Sequence, residues 1–480
     1  MTTDQYDRRG SIAVAENDPT PHPRRALGLR DLVLFYVVVT LSLRWLPLAA
    51  AAGPSTIVIW LLGVVVVFLP LALCVMELSS RYPQEGGMYV WSKRAFGDSA
   101  GFLTGWIYWT SNLPYFPVLL YFAASNALYV GGTRWHALQS SPSFFIGFSI
   151  VGLSLALVLN LVGLNVGKWL NNLGAIGTWI PVALLFALAF LVWSRFGPAT
   201  SFATQSFKPT LTVANCGIWA TMLSAFAGAE AASFMGSEIK RPRRDIPRAL
   251  IVAGFLIVAG YVLGTLAILV VVPREQLNSL EGLMQAISSS GARVGWRGLG
   301  PAVALLICIA NLGAVGAYLA AVARIPFVAG IDRYLPQAFA RVHPRWGTPY
   351  VALIVQALFS VLIAVMGQAG SSIRGAYQIL VSTTVIATFL PYLFMFAALI
   401  RLQSEPVEPG VMRIPGGKPV ATAIAIVGFT ATVLVVIGSV IPDASEPNKV
   451  LAVVKVVLLS AALVLGGAAL YWFGKRRVAA

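Results

Sequence analysis

The sequence predicts an all-α membrane protein of twelve transmembrane helices, and three observations carry that reading. Of its 480 residues 58% are hydrophobic and only 11% are charged, whereas soluble globular chains carry about 25% charged residues. Apolar runs long enough to span a bilayer recur from end to end, and they lack the strict alternation of a membrane β-barrel. Two of the runs, the first and the sixth, are broken at corresponding places by polar, charged or helix-breaking residues.

In chain order, residues 1–28 are polar and carry Arg8, Arg9, Arg24 and Arg25. With no apolar centre before a small-residue cleavage site, they read as a cytoplasmic tail and not as a signal peptide. The first span, Leu32–Ala52, contains Thr40-Leu-Ser42-Leu-Arg44-Trp-Leu-Pro47. Pro47 removes a backbone donor there and crowds the preceding turn. The second span, Ser55–Ser79, ends on Glu77, which sits four residues before Arg81 and pairs with it or with a loop arginine. In the third, Gly101–Val130, Asn112 follows Tyr108 by four residues and is followed by Tyr115 and Phe116 at three and four, so these residues can share a face. That face either lines a cavity or serves ordinary packing.

Phe144–Val162 and Leu173–Trp193 are the fourth and fifth spans. The sixth, Gly217–Met235, carries Phe226-Ala-Gly228-Ala-Glu230 and leads into a basic block with five Lys/Arg between Lys240 and Arg248. Ala249–Val272, Leu299–Ala329, Tyr350–Met366, Ala376–Ile400, Val420–Ile441 and Val450–Phe473 complete the set. Asn311 in the eighth and Tyr377 in the tenth are weaker polar candidates. Lys455 lies about two turns inside the twelfth and is placed to snorkel outward.

An even number of spans puts both termini on one side, and most of the 34 Lys/Arg then fall in cytoplasmic segments. The net charge of +16 lies in short loops between spans, so it reports topology and anionic headgroups and excludes a nucleic-acid partner. Cys74, Cys216 and Cys308 have no metal-ligand spacing and read as small core residues. His22, His136 and His343 all fall outside the spans, which excludes a histidine relay at the midplane. No cofactor or metal is expected, and with no P-loop, ATP-driven transport by the chain alone is excluded. No serine–histidine or paired-aspartate motif lies within the spans, so the chain reads as no enzyme.

Charge at membrane depth costs roughly 2.5–3.5 kcal/mol on insertion scales, so it is kept where it has a role. An unwound segment in lipid also frees N–H and C=O groups that protein, water or a solute must satisfy. Two broken spans five apart match two inverted five-helix repeats with two helices outside them, an arrangement that secondary transporters build around a midplane site. The freed half-helix ends would attract an anionic substrate group.

Four features now resemble one family, the amino acid–polyamine–organocation transporters. Glu77-Leu-Ser-Ser-Arg81-Tyr-Pro83-Gln-Glu-Gly86-Gly87-Met-Tyr-Val-Trp91 with Arg94-Ala-Phe-Gly97 is similar to its second-to-third-helix signature. Phe226-Ala-Gly-Ala-Glu230 with Glu238-Ile-Lys-Arg-Pro242-Arg-Arg-Asp245-Ile-Pro247 is similar to its sixth helix and following loop. Ala323-Arg324, Asp332-Arg333-Tyr-Leu-Pro336, His343-Pro344 and Gly347-Thr-Pro349 are similar to its eighth-to-ninth connection. The twelve-span plan is the fourth feature, and the match covers about residues 29–470.

The resemblance implies a five-plus-five inverted-repeat, leucine-transporter-like fold: 1–28 a tail, 29–200 and 201–402 the two repeats, and 403–480 the last two helices. It also implies a multi-pass protein of the cell membrane that moves amino acids or related amines by alternating access, as symporter or exchanger. The substrate-binding positions it implies are Ser42, Leu43 and Arg44 at the first break, and Phe226, Ala227, Gly228 and Ala229 at the second. Tyr108 and Asn112 join them from the third span. Two departures stand out. Ser42-Leu43-Arg44-Trp45 replaces a small, glycine-rich break. Gly177-Thr178-Trp179-Ile180 lacks the lysine that some members use as a proton carrier in the fifth helix.

Three readings of Glu230 stand side by side: proton carrier, gating carboxylate, or partner of Arg44 across the two breaks. Arg44 is either a bidentate anchor for a substrate carboxylate or a structural tie to Glu230 or to freed carbonyls. A polyamine or organic-amine carrier is the alternative within transport, since Pro114-Tyr-Phe-Pro117 resembles polyamine-uptake members. A non-transporting membrane sensor or partner subunit is the alternative of another class.

Overall fold

The computed structural model describes residues 27–84, 86–162, 164–278, 280–296, 298–323, 325, 334–442 and 446–479. The tail before residue 27, Glu85 of the first motif, and Arg324, Asp332 and Arg333 of the eighth-to-ninth connection lie outside them. Helix dominates, and a lone parallel bridge between Leu27 and Ile239 ties the start of the first span to the end of the sixth.

The first expected span is two helices, α1 (Leu29–Thr40) and α2 (Trp45–Ala51), bent by 49°. Asp31 accepts from the Gly28 N–H at 2.9 Å and fixes the start of α1. Pro47 falls in the first turn of α2, where a missing N–H is harmless, and the Leu43 carbonyl, denied the bond Pro47 would give, accepts instead from the Leu46 N–H at 3.3 Å in a tighter turn. The helix therefore opens ahead of it. α3 (Ser55–Arg81) widens into a π turn over Val64–Phe68, because Pro70 has no N–H to give Val66. After a short α4 (Met88–Phe96) comes α5 (Asp98–Gly131), then α6 (Pro142–Val162) and α7 (Leu164–Phe196).

The sixth expected span is also broken. α8 (Val213–Leu223) tightens into a 3-10 turn at Ser224–Phe226, unwinds through Ala227–Glu230, and resumes as a 3-10 segment, Ala231–Glu238. Then follow α9 (Pro242–Val271), a short extra helix α10 (Gly282–Arg293), α11 (Leu299–Val322), α12 (Tyr350–Gln368), α13 (Ile373–Leu402), α14 (Gly417–Gly438) and α15 (Lys449–Ala479).

Among the described residues ten helices are long and apolar enough to cross a membrane, or eleven if the bent α1–α2 pair is one span. The count expected from the sequence was twelve. The sixth falls short because its apolar helix stops at Phe226, where the chain spends its residues on the unwound turn instead. Leu61, Val151, Phe190, Phe255, Leu358, Leu434 and Leu458 are all more than half exposed on these helices, or nearly so, an apolar exterior suited to lipid.

The most extensive packing sets α11 against α7 and α5, α13 against α14, and α1 against α9. Glycine makes the closest of these approaches: a Cβ on Gly177 of α7 would stand 2.4 Å from the Leu306 carbonyl of α11. Where α3 ends, Glu77 and Arg81 form a buried ion pair at 2.5 Å. Gln403 and the Ile414 N–H also donate to Glu77, and Arg81 donates to the Leu402 carbonyl. The connection 403–416 is thereby tied to α3. Glu405 extends the tie by accepting from Tyr82 at 2.8 Å and from Arg94 at 2.9 Å. Burial and that hydrogen bond push the Tyr82 phenol above its ordinary range. Lys455 reaches the end of α12, where it donates to the Gly367 and Ala369 carbonyls and to Ser371, a cation satisfying a helix C-terminus.

Candidate functional site

The two breaks face each other, and one tyrosine holds both. Tyr261 of α9 donates its hydroxyl to the Thr40 carbonyl, lies 3.2 Å from the Ala225 carbonyl, and accepts from the Ser42 N–H at 3.3 Å. These are groups that unwinding leaves without helical partners, and buried backbone groups must be paired. Tyr318 of α11 donates to the Val39 carbonyl at 2.9 Å and extends the same accounting. The Tyr261 ring stacks on Trp60 at 4.6 Å, and both rings meet Phe226 edge-on. Thr265 accepts from the Trp60 indole N–H at 3.1 Å. Phe226, expected at the substrate, is instead the buried pillar of this cluster.

The chain passes Gly228 at φ +117°, a conformation open chiefly to glycine. A Cβ there would stand 2.9 Å from Thr40 Oγ1 and 3.2 Å from Val39 Cγ1. Gly228→Ala is therefore expected to cost about 2 kcal/mol through strain and crowding together. It should also abolish transport by pushing the breaks apart. Thermal unfolding and uptake by the purified variant check this, and a variant with wild-type uptake would refute it.

Between the breaks lies a cavity of about 90 Å³, room for several waters or one small polar solute. Its wall includes Ser42, Arg44, Tyr108, Asn112, Ala227, Gly228 and Glu230. Seven expected positions thus meet at one place, while Leu43, Phe226 and Ala229 are buried behind it. Tyr115 also lines it, but Phe116 turns into a separate apolar core with Leu119, Leu153 and Leu319. Asn112 donates to the Tyr108 carbonyl at 2.9 Å. Asn311 spends its amide on the Ile307 carbonyl and stays out of the wall.

Glu230 is 1% exposed. Its carboxylate accepts from Tyr108 at 3.0 Å and from the Gly228 N–H at 3.1 Å, and Tyr392 of α13 hydrogen-bonds it as well. Arg44 is 6% exposed, with Cζ 4.1 Å from the Trp45 ring centroid and 5.1 Å from that of Tyr115. Tyr377 of α13 stands beside it.

The Arg44–Glu230 ion pair, one of the three readings of Glu230, is not formed: among the described residues no carboxylate lies within ion-pair distance of Arg44. Glu230 is turned to Tyr108, whereas Arg44 stacks on Tyr115, seven residues further along α5. At 1.5 Å per residue those two contact points stand roughly 10 Å apart along the helix. Phenols and a backbone N–H take the place of the guanidinium at the carboxylate. Opposite charges therefore line one cavity without pairing.

Sequence reasoning missed Tyr261, Tyr318 and Tyr392, and the wall residues Thr384, Thr388 and Phe389 of α13. A tyrosine in an apolar run carries no charge to mark it, and its role here depends on which carbonyls the fold brings to its hydroxyl.

The amino acid permease family matches residues 27–462. An uncharacterized transporter of Legionella pneumophila is 30% identical over 462 residues, covering 94% of this chain and 96% of that protein. A glutamate/gamma-aminobutyrate antiporter of Lactococcus lactis is 25% identical, covering 80% of this chain and 78% of that protein. A probable agmatine/putrescine antiporter of the same organism is 23% identical, covering 76% and 78%. The chain belongs to the amino acid permease family, within the amino acid–polyamine–organocation superfamily, and is a multi-pass membrane transporter of small solutes.

Proposed function

We propose that the protein moves amino acids across the cell membrane by alternating access, as a symporter or an exchanger. One observation supports this most: a cavity between two broken helices is lined by both Arg44 and Glu230, unpaired with each other. That charge pattern complements a zwitterion and opposes a dication. Arg44 takes the substrate carboxylate, as a planar guanidinium suits, and Glu230 is the coupling or gating carboxylate. The exposed backbone of Ser42 and of Ala227–Gly228 completes the binding surface, with Tyr108 and Asn112 beside it.

In this reading α1–α2 counts as one span, and α8 with the 3-10 segment after the break as another. They open two inverted five-helix repeats over 29–200 and 201–402, with 403–480 forming helices eleven and twelve. Residues 1–28 are a tail, and both termini face the cytoplasm. The repeats rock about the cavity while the breaks hold the solute.

A polyamine or amine carrier is the other reading within transport. The agmatine/putrescine antiporter among the relatives favours it; Arg44, facing the same cavity, disfavours it. Counterflow of labelled amino acids and of putrescine into proteoliposomes holding only the purified chain decides. Amino acid counterflow is the expected result. Counterflow with putrescine alone overturns the substrate class, and no counterflow with either favours a sensor or partner subunit.

A further inference from the structure

We infer that Arg44 holds a small monovalent inorganic anion, chloride in size and charge, at the cavity wall, and that this anion and a substrate carboxylate occupy the guanidinium in turn. Arg44 is 6% exposed. Its Nε and Nη1 are buried and have no hydrogen-bond partner, and among the described residues no carboxylate pairs with it. A guanidinium cannot shed its proton, so burial cannot neutralise it. A buried cation without an anion is strongly disfavoured.

Trp45 and Tyr115 lie close to the guanidinium. Their rings attract a cation but offer no lone pair to N–H groups. Tyr377 stands beside the guanidinium yet leaves Nε and Nη1 unpartnered, so their acceptor comes from the cavity that Arg44 lines.

The wall around it fits a small anion. Ser42 and Thr388 supply hydroxyl groups, neutral donors that tolerate a halide, whereas Ser111 and Thr384 already give theirs to the Tyr108 and Leu380 carbonyls. Glu230, the lining carboxylate, is engaged by Tyr108 and the Gly228 N–H. Among the described residues Arg44 is the one cationic side chain in that wall. A phosphate or sulfate dianion would need a second cation, so one positive charge selects a monovalent ion.

The anion site rests on this geometry alone, while its alternation with substrate rests on the proposed role of Arg44 as carboxylate anchor. The two parts fail separately.

Radiolabelled chloride is titrated onto the purified full-length protein in gluconate buffer, with no amino acid present. One saturable site is expected. Binding should weaken more than tenfold in Arg44→Gln and survive, within a few-fold, in Arg44→Lys. No saturable binding to the wild-type protein overturns the site, and that measurement needs no variant to fold. Equal binding to Arg44→Gln overturns it too. Counterflow is then run in chloride and in gluconate. A several-fold higher KM in chloride is expected, and an unchanged KM overturns the alternation. Chloride binding without amino acid counterflow would overturn the transport reading and leave the anion site standing. Counterflow without chloride binding would do the reverse.

Discussion

Glu230→Gln is expected to cut net uptake driven by a pH gradient by roughly two orders of magnitude, the scale at which a lost proton-transfer group is felt. Exchange of one substrate molecule for another should continue. Gln keeps the shape of the side chain but never takes up or releases a proton. It also keeps an oxygen for one of the donors at the site, Tyr108 or the Gly228 N–H. The phenol can rotate to accept from the new NH2, so the structural cost should stay near ~1 kcal/mol. Net uptake and counterflow in the same proteoliposomes separate coupling from binding. Equal loss of both would make Glu230 a gate or a substrate contact and not a coupling group; wild-type net uptake would reject every active role for it.

The same substitution tests the relation to Arg44. Since the two side chains form no ion pair, the stability costs of Glu230→Gln and Arg44→Leu should add to within about 0.5 kcal/mol. A rescue of one by the other would require a paired conformation elsewhere in the transport cycle.

Much of the site was legible because broken helices leave marks in sequence. Pro47 lacks a donor, Gly228 can take a positive φ, and Arg44 and Glu230 are conspicuous in apolar runs. The ends of the spans were legible for the same reason, since runs such as Ser55–Arg81 and Tyr350–Gln368 stop where apolar character stops. Three things were hidden. The partner of each charge was hidden, because pairing depends on which way a side chain points in the cavity, and Arg44 turns to Tyr115 while Glu230 turns to Tyr108. Tyr261, Tyr318 and Tyr392 were hidden, because in a membrane span a tyrosine reads equally as packing or as an interfacial residue. Helix α10 was hidden because its Gly282–Arg293 sequence is too short and too polar to read as a span; it packs in the loop against α11 and α7.

Tyr261→Phe is expected to destabilise the protein by about 3 kcal/mol, more than any cost of lost packing, since only one oxygen is removed. That oxygen serves the Thr40 carbonyl, the Ala225 carbonyl and the Ser42 N–H. A buried polar group left unsatisfied costs about 1–3 kcal/mol. The ring itself should hold its place against Trp60 and Phe226, so the loss is confined to the hydroxyl. The effect should be functional as well as thermal, because the hydroxyl is the direct link between the first and second breaks. Without it the backbone of Ser42 and the Ala225–Gly228 turn can drift independently, and the solute then meets two loose surfaces in place of one rigid cleft. The test is the unfolding temperature together with KM for counterflow. A lower unfolding temperature with a several-fold higher KM is expected, and the neighbouring Thr265→Val, which removes the Trp60 tie and a bond to the Tyr261 carbonyl but leaves the Tyr261 hydroxyl in place, should have the smaller effect on KM. A Tyr261→Phe variant with wild-type KM would mean that the two breaks are aligned by their packing and not by the shared hydroxyl.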